Sequence, residues 1–321
     1  MIHLIFTGGT ISMRRDERAG GNVPAHGGDD LVRLAPGLSA LAPFVIDDWA
    51  RQPACHMSQE RHWALRNHVR KVVADGAGTG LTGVVVTHGT DTLEETAYLL
   101  DRTLGREIPI AVTGAMLTSS DAGWDGPKNL TDAARVASSP ESRGRGTMVV
   151  FAGSVFQGRE AVKLHATDPD AFGTPHGEPL GRVDERGVQF RAAPAPSAPL
   201  DPRHLRARVA LVPMVVGDEG GLLDLARPGH DGVVVVGFGS GNIPPGALPA
   251  IRRWIAERKP VVLASRCPEG QVTPVYAFEG GGATLVREGV TPAGPRAPSQ
   301  ARMELIIALS AGAPYGAGGQ A

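Results

Sequence analysis

The sequence predicts an α/β protein with a larger N-terminal doubly wound, mainly parallel sheet domain and a smaller C-terminal α/β domain. The chain has 321 residues, about twice the roughly 150 typical of one domain. Short β-branched runs alternate with helical patterns, which is typical of parallel sheets. A proline-rich segment separates two such series. We therefore expect domains at 1–190 and 205–321, joined by a linker at 191–204.

Continuous apolar runs predict strands that are covered by helices on both faces. These runs lie at 4–6, 83–87, 108–113, 147–151, 209–216, 233–237 and 260–265. Helical spacing recurs in two sets, which are Leu93, Ala97, Leu100 and Leu104, and Ile251, Trp254 and Ile255. Strands followed by such helices predict βαβ units.

Composition excludes several classes of function. The formal net charge is -1, so bulk charge provides no attraction for nucleic acid or an anionic membrane. Two cysteines, Cys55 and Cys267, are too few for a disulfide framework or a zinc site. The start of the chain resembles a strand rather than a targeting signal, and no apolar run approaches membrane-spanning length. The default expectation is a soluble cytoplasmic protein.

The first predicted strand runs into Thr7-Gly8-Gly9-Thr10-Ile11. Glycines there allow backbone N–H groups to approach a ligand, and Thr10 adds a hydroxyl at the carboxyl end of the strand, where open parallel sheets bind ligands. An ordinary glycine turn explains this pentapeptide equally well.

A second polar segment follows the strand at 83–87 and contains Thr90 and Asp91. Thr92 and Glu95 form a capping-box pattern, which predicts a helix from Thr92. Thr90 and Asp91 would then lie in the turn between strand and helix, beside the positive helix end. The alternative is that Asp91 is a second helix cap and Thr90 only a turn residue.

Lys163 lies in a polar and apolar alternation at 158–165 that predicts a strand. A lysine that points inward loses hydration and can act as a base. An isolated lysine is more often a solvated surface group.

Residues 237–242 resemble a dinucleotide loop, but Asn242 replaces the third glycine, which argues against NAD binding.

Two segments, 7–11 and 87–97, resemble the signature segments of the bacterial-type L-asparaginase family. Further matching stretches, in the family's order over almost the whole chain, are 112–116, 125–130, Gly158 and Arg159 with Lys163, 239–242 and 265–266. The resemblance implies an amidohydrolase with no metal or organic cofactor, which by default hydrolyses L-asparagine to L-aspartate and ammonia. It further implies self-association as a homodimer or homotetramer, in which a neighbouring subunit completes each site.

Carried over from the family, Thr10 is the candidate nucleophile, and Thr90, Lys163 and Asp91 form a second catalytic group. Which threonine attacks first stays open. Backbone N–H groups of Thr10, Thr90 and Ala115 would form an oxyanion hole. The resemblance assigns substrate binding to Gly9, Cys55, His56, Ser58, Gly89, Ala115, Asn242 and Tyr276.

The chain departs from the family in the loop at 12–29, where the family has a lid tyrosine. Alignment places Val23 there, and valine can neither relay a proton nor donate a hydrogen bond. The charged run at 14–18 is expected to be solvated, although contact with a charged substrate is the alternative. The chain's three tyrosines all lie elsewhere, at Tyr98, Tyr276 and Tyr315.

The positions that bind the free amino acid also differ. Counting back from Trp63 places Cys55 and His56 at the polar positions of the family, while Ser58 resembles a helix cap. A small slip in the alignment would bring Ser58 and Gln59 into that role.

The glutamate that the family takes from a partner subunit falls near Ala277, where only Tyr276 and Glu279 are close. These departures leave two alternatives to free asparagine hydrolysis. One is the same chemistry on a modified, peptide-embedded or succinimide substrate. The other is a catalytically weak homologue that binds an amino acid.

Overall fold

The computed structural model describes residues 1–41, 43–191, 193 and 198–317. Its contacts divide the chain into two units, Met1–Pro199 and Leu200–Ala321. Within the linker predicted at 191–204, residues 192 and 194–197 lie outside the described residues. The limits of that linker and of the predicted domains stay predictions.

The first unit contains most of the elements. Its strands and helices are β1 (Ile2–Gly8), β2 (Met13–Asp16), β3 (Gly21–Pro24), α1 (Gly28–Leu34), β4 (Phe44–Gln52), α2 (Gln59–Gly76), β5 (Gly83–Thr87), α3 (Leu93–Thr103), β6 (Ile110–Thr113), α4 (Gly126–Ser138), β7 (Thr147–Phe151), β8 (Ser154–Gln157), β9 (Val162–Lys163), β10 (Phe172–Gly173), β11 (Gly181–Asp184) and β12 (Gly187–Phe190). Short 3-10 helices, including Thr10–Ser12 and Ala54–His56, lie in the connections.

The large sheet has the strand order β12-β11-β8-β7-β6-β5-β1-β4. Strands β4, β1, β5, β6 and β7 pair in parallel, whereas β8, β11 and β12 are added antiparallel at one edge. Side chains alternate between two buried faces, so that Leu4 and Phe6 enter one core cluster and Ile5 enters the other. Burial on both faces explains why these strands are apolar throughout.

The second unit is a smaller parallel sheet with helices. It comprises β13 (Val209–Pro213), α5 (Gly221–Ala226), β14 (Gly232–Gly237), α6 (Leu248–Ala256), β15 (Val261–Ser265), α7 (Gly282–Arg287), β16 (Thr291–Pro292) and α8 (Pro298–Ala311). The strand order is β13-β14-β15-β16, with every pair parallel. Trp254 is fully buried in its core and donates its indole N–H to the Leu223 carbonyl at 3.0 Å.

The predicted fold class is confirmed, and a strand is present at each of the seven continuous apolar runs. Strand β4 was not predicted, because it lies at the edge of the sheet and carries charged residues in place of a continuous apolar run. The strand predicted at 158–165 is shorter than expected, since only Val162–Lys163 pairs with a neighbour. No helix among the described residues is both long and apolar enough to span a membrane.

The capping box predicted at Thr92 and Glu95 is wrong. Helix α3 begins at Leu93 with Thr92 in the N-cap position, but the Thr92 side chain makes no capping hydrogen bond. Its hydroxyl instead donates to the backbone carbonyl of Ala54 at 3.1 Å. A tertiary contact has replaced the local one.

Candidate active site

The site is assembled where the carboxyl ends of β1 and β5 lie side by side. These strands pair in parallel, with Phe6 opposite Thr87, so the loops that follow them begin at the same edge of the sheet. Gly9 and Gly89 bring the two loops into contact, because a Cβ added to Gly9 would lie 2.3 Å from the Gly89 Cα. Only glycine permits this approach, and it places the Thr10 loop against the Thr90 loop.

Thr90, Asp91 and Lys163 form one hydrogen-bonded group. Lys163 Nζ lies 2.9 Å from Thr90 Oγ1 and 3.0 Å from Asp91 Oδ1, within hydrogen-bond distance of both. Thr90 is 5% exposed, and the Lys163 side chain is 16% exposed, whereas the Asp91 side chain is 64% exposed. Lys163 is therefore not an isolated surface lysine, and Asp91 turns its carboxylate to Lys163 while Thr92 occupies the cap.

Glu94 fixes the backbone that carries Lys163. The backbone N–H of Lys163 donates to Glu94 Oε2 at 2.7 Å. The first turn of α3 therefore holds β9 beside Thr90. Sequence reasoning missed this role, because the two residues are 69 positions apart and no local pattern connects them. An ion pair between Arg159 and the buried Asp101 adds a second connection between this segment and α3.

Three backbone donors at this edge have no hydrogen-bond partner among the described residues. They are the N–H groups of Thr10, Thr90 and Ala115, which follow the adjacent strands β1, β5 and β6. Ala115 is fully buried. Thr90 is also buried, whereas Thr10 is partly buried. Buried N–H groups are rarely left unpaired in folded proteins, so these donors are available to an oxygen atom of a ligand.

His88 lies beneath the Thr90 loop and is 1% exposed. Its Nδ1 is 2.9 Å from the Gly89 carbonyl oxygen, and its Nε2 is 3.0 Å from Thr96 Oγ1. Burial lowers the pKa of this imidazole to about 4, so the ring is neutral near pH 7. Sequence reasoning gave His88 no role, although it belongs to the signature segment.

The proposed recognition residues of the first unit lie around the same loops. Cys55 and His56 belong to the exposed part of the 3-10 helix Ala54–His56, which touches the Thr90 loop through the Ala54 carbonyl. Ser58 is the N-cap of α2 and accepts the Arg61 N–H at 3.2 Å. The expectation of a helix cap at Ser58 is confirmed.

Asn242 and Tyr276 belong to the second unit, and their predicted part in substrate binding stays a prediction. Asn242 Oδ1 accepts the Gly282 N–H at 3.3 Å. Tyr276 is 49% exposed and lies against Phe278, with the ring centroids 5.5 Å apart.

The lid region of the family is a hairpin here, formed by β2 and β3, in which Val23 pairs with Arg14. The Ser119 N–H donates to the Met13 carbonyl at 3.2 Å, which attaches this hairpin to the segment after β6. Most of the charged run at 14–18 is exposed to solvent, as expected for a solvated run. No group of three metal-ligating side chains occurs among the residues that the structure describes.

Comparisons with known proteins identify the family of the chain. Residues 1–196 match the family model "Asparaginase, N-terminal", and residues 208–316 match "Glutaminase/Asparaginase C-terminal domain". The chain belongs to the asparaginase family. The predictions of this family and of a hydrolase that acts on linear amides are therefore confirmed.

Individual asparaginases resemble the chain over almost its full length. A probable L-asparaginase of Deinococcus radiodurans is 40% identical, with 97% of this chain and 93% of the relative aligned. The L-asparaginase of Bacillus licheniformis is 31% identical, over 96% and 95% of the two chains. The crystal structure of a probable cytoplasmic L-asparaginase from Campylobacter jejuni superimposes with a TM-score of 0.86 at 30% identity, covering 96% and 94%.

The contact between the two glycine loops can be tested with Gly9→Ala. Gly9 has φ 85° and ψ -175°, a conformation that few other residues adopt, and the new Cβ would collide with Gly89. We expect loss of activity and a lower melting temperature. Gly78→Ala is the matched control, because Gly78 also has positive φ, 80°, but nothing lies within 4 Å of its added Cβ. Equal loss in both variants would contradict the importance of the contact.

Burial of neutral His88 should make stability depend on pH. Its pKa falls from 6.5 in the unfolded chain to about 4 in the folded protein, so the unfolded state binds more protons between these values and stability falls as the pH falls. We expect the free energy of unfolding to decrease by roughly 2 kcal/mol between pH 7.5 and pH 5 from this group. Urea unfolding of His88→Asn at both pH values should show a correspondingly smaller decrease; an unchanged decrease would refute the assignment.

Proposed function

We propose that this protein hydrolyses the side-chain amide of L-asparagine to give L-aspartate and ammonia. Thr10 is the proposed nucleophile, and Thr90, Lys163 and Asp91 form the second catalytic group. The observation that carries the proposal is the contact of Lys163 with both Thr90 Oγ1 and Asp91 Oδ1. The names of the Deinococcus and Bacillus relatives support asparagine as the substrate.

The residues can support the reaction in two stages. A threonine hydroxyl attacks the amide carbon while a base takes its proton, and the carbonyl oxygen becomes an oxyanion. The free N–H groups of Thr10, Thr90 and Ala115 stabilise this charge. The amide nitrogen accepts a proton as the C–N bond breaks. Ammonia then departs, and the threonine remains acylated as an acyl-enzyme.

Water then attacks the acyl-enzyme and regenerates the threonine. Lys163, as an amine, accepts the proton of the Thr90 hydroxyl or of a water molecule held by it. The Asp91 carboxylate lies next to the ammonium that results. Asp91 is also the proposed partner of the substrate's ammonium, which its exposure allows. No metal or organic cofactor enters the proposed reaction.

Recognition of the substrate is shared in this proposal. Gly9, Gly89 and Ala115 present their backbones to it, and Cys55, His56 and Ser58 lie near its charged groups. Asn242 and Tyr276 would come from a neighbouring subunit of a homodimer or homotetramer. A cytoplasmic location is proposed, in keeping with the description of the Campylobacter relative.

A second candidate keeps the same chemistry but acts on a modified, peptide-embedded or succinimide substrate. It is favoured by Val23 in the hairpin, which cannot supply the lid hydroxyl, and by Cys55 and His56 at the recognition positions. A catalytically weak binding homologue is less well supported, because the contacts between Thr90, Lys163 and Asp91 are complete.

Removal of the Thr90 hydroxyl or of the Lys163 amino group should strongly lower kcat. For Thr90→Val and Lys163→Met we expect a loss of about 10²–10⁴-fold in kcat, the usual contribution of general acid–base catalysis. Ammonia release from asparagine is the measurement. Lys71→Met is the matched control, because Lys71 is 72% exposed and pairs with Asp75 on the surface of α2.

The three functions give different results with the unmodified protein. Release of ammonia from asparagine supports the first. Cleavage of asparaginyl or succinimidyl peptides with inert asparagine supports the second. If no amide is cleaved while aspartate still raises the melting temperature, both enzymatic proposals fail.

A tyrosine introduced in the hairpin should raise the activity on free asparagine. Val23 is partly buried on β3, and Val23→Tyr would restore a hydroxyl that can donate a hydrogen bond and relay a proton. We expect a higher kcat/KM, with Val23→Phe as the control that adds the ring alone. Equal values in the two variants would show that the hydroxyl does not reach the reacting atoms.

A further inference from the structure

The three unpaired N–H donors belong to the peptide groups Gly9–Thr10, Gly89–Thr90 and Gly114–Ala115. The carbonyl of each of these peptide groups has a hydrogen-bond partner. The Gly9 carbonyl accepts the Ser12 N–H at 3.0 Å. The Gly89 carbonyl is 2.9 Å from His88 Nδ1, and the Gly114 carbonyl accepts from Asn129 Nδ2 at 3.1 Å. These peptides are trans, so each N–H points opposite to the carbonyl of the same plane. A bond that fixes the carbonyl therefore also fixes the direction of the donor.

His88 can serve in only one tautomer. A carbonyl oxygen only accepts, so Nδ1 must carry the hydrogen that is donated to Gly89. Nε2 is then unprotonated and accepts from the Thr96 hydroxyl at 3.0 Å. His88 and Thr96 are each 1% exposed, so these bonds are shielded from bulk solvent. The Thr96 hydroxyl thus provides the hydrogen bond that Nε2 accepts in the tautomer that directs the Thr90 N–H.

Asn129 is held with equal completeness. Its Nδ2 donates both to the Gly114 carbonyl and to Asp125 Oδ2, each at 3.1 Å, while its Oδ1 accepts the Ala152 N–H at 3.1 Å. The residue is 1% exposed. Because the amide is bonded on both sides, it cannot flip without losing these contacts, and the Gly114–Ala115 peptide is held with it.

We propose that His88 and Asn129 are positioning residues that orient the N–H groups of Thr90 and Ala115 toward the developing oxyanion. This inference rests on the proposed amide hydrolysis. Neither side chain touches the reacting atoms. Each prevents rotation of a peptide plane, so the donors are directed before charge develops, which is the condition for effective electrostatic stabilisation. Their contribution belongs to the transition state, not to the binding of asparagine.

The sharpest test compares His88→Asn with His88→Gln. The amide nitrogen of asparagine can occupy the place of Nδ1 and still donate to Gly89, whereas that of glutamine reaches the place of Nε2. Loss of a whole oxyanion-hole donor costs about 10²–10³-fold in kcat. We expect His88→Gln to lose about 10–100-fold in kcat, and His88→Asn to retain several times more activity. KM for asparagine should change little in either variant.

Two further variants test the same idea if position 88 does not tolerate substitution. Thr96→Val removes the hydroxyl that donates to Nε2 in this tautomer and should lower kcat by a smaller factor. Asn129→Leu removes the donor to Gly114 and should lower kcat without raising KM. Thr113→Val is the matched control, because Thr113 is fully buried and its hydroxyl donates to the Val150 carbonyl at 2.7 Å. It should lower the melting temperature but keep kcat.

The outcomes separate failure of this inference from failure of the proposed function. If the unmodified protein releases no ammonia from asparagine, the proposed function is wrong, and if Thr90→Val and Lys163→Met remain active, the proposed catalytic group is wrong. If both are inactive while His88→Asn and His88→Gln have equal kcat values, the positioning role of His88 is wrong. A loss in Thr113→Val as large as in Asn129→Leu, or a loss expressed in KM alone, also overturns the inference.

Discussion

The contact between two glycine backbones is the constraint on which the candidate site at the carboxyl ends of β1 and β5 depends. Parallel pairing of β1 and β5 brings two loops to one end of the sheet. Pairing alone would leave a gap between the two loops, which side chains would fill. The absence of a Cβ at Gly9 and Gly89 allows the loops to touch. Thr10 and Thr90 then belong to one surface, although 80 positions separate them in the chain, and Lys163 joins this surface through its contacts with Thr90 and Asp91.

Much of the fold followed from the sequence, because strands buried on both faces must be apolar throughout. The strand at 83–87 was predicted with the bounds that the structure has. Edge strand β4 was missed because half-exposed positions tolerate charge. The capping box failed for a different reason: the Thr92 hydroxyl found a partner 38 positions away, in Ala54. A local pattern cannot report a distant carbonyl that competes for the same hydroxyl.

The candidate site was predictable to a similar depth. The signature segments indicated Thr10, Thr90 and Asp91, and the resemblance added Lys163. The roles of Glu94 and Asn129 could not be read from the sequence, since both act on backbone groups far along the chain. Their residue types carry no sign of this, because a glutamate in the first turn of a helix and a buried asparagine have many ordinary explanations. Contacts between a side chain and a remote backbone group produce no periodic pattern in the amino-acid sequence.

The three unpaired N–H groups have an evolutionary consequence. They belong to the main chain, so no substitution except proline can delete the donor at positions 10, 90 or 115. In the proposed reaction, a change in the power to hold an oxyanion would therefore come from the neighbours of these peptide planes, whereas a change in substrate choice would come from surface side chains such as those of the β2–β3 hairpin. Reactivity and substrate selectivity would therefore depend on different groups. Substitutions during evolution can then alter the selectivity while the main-chain donors are kept.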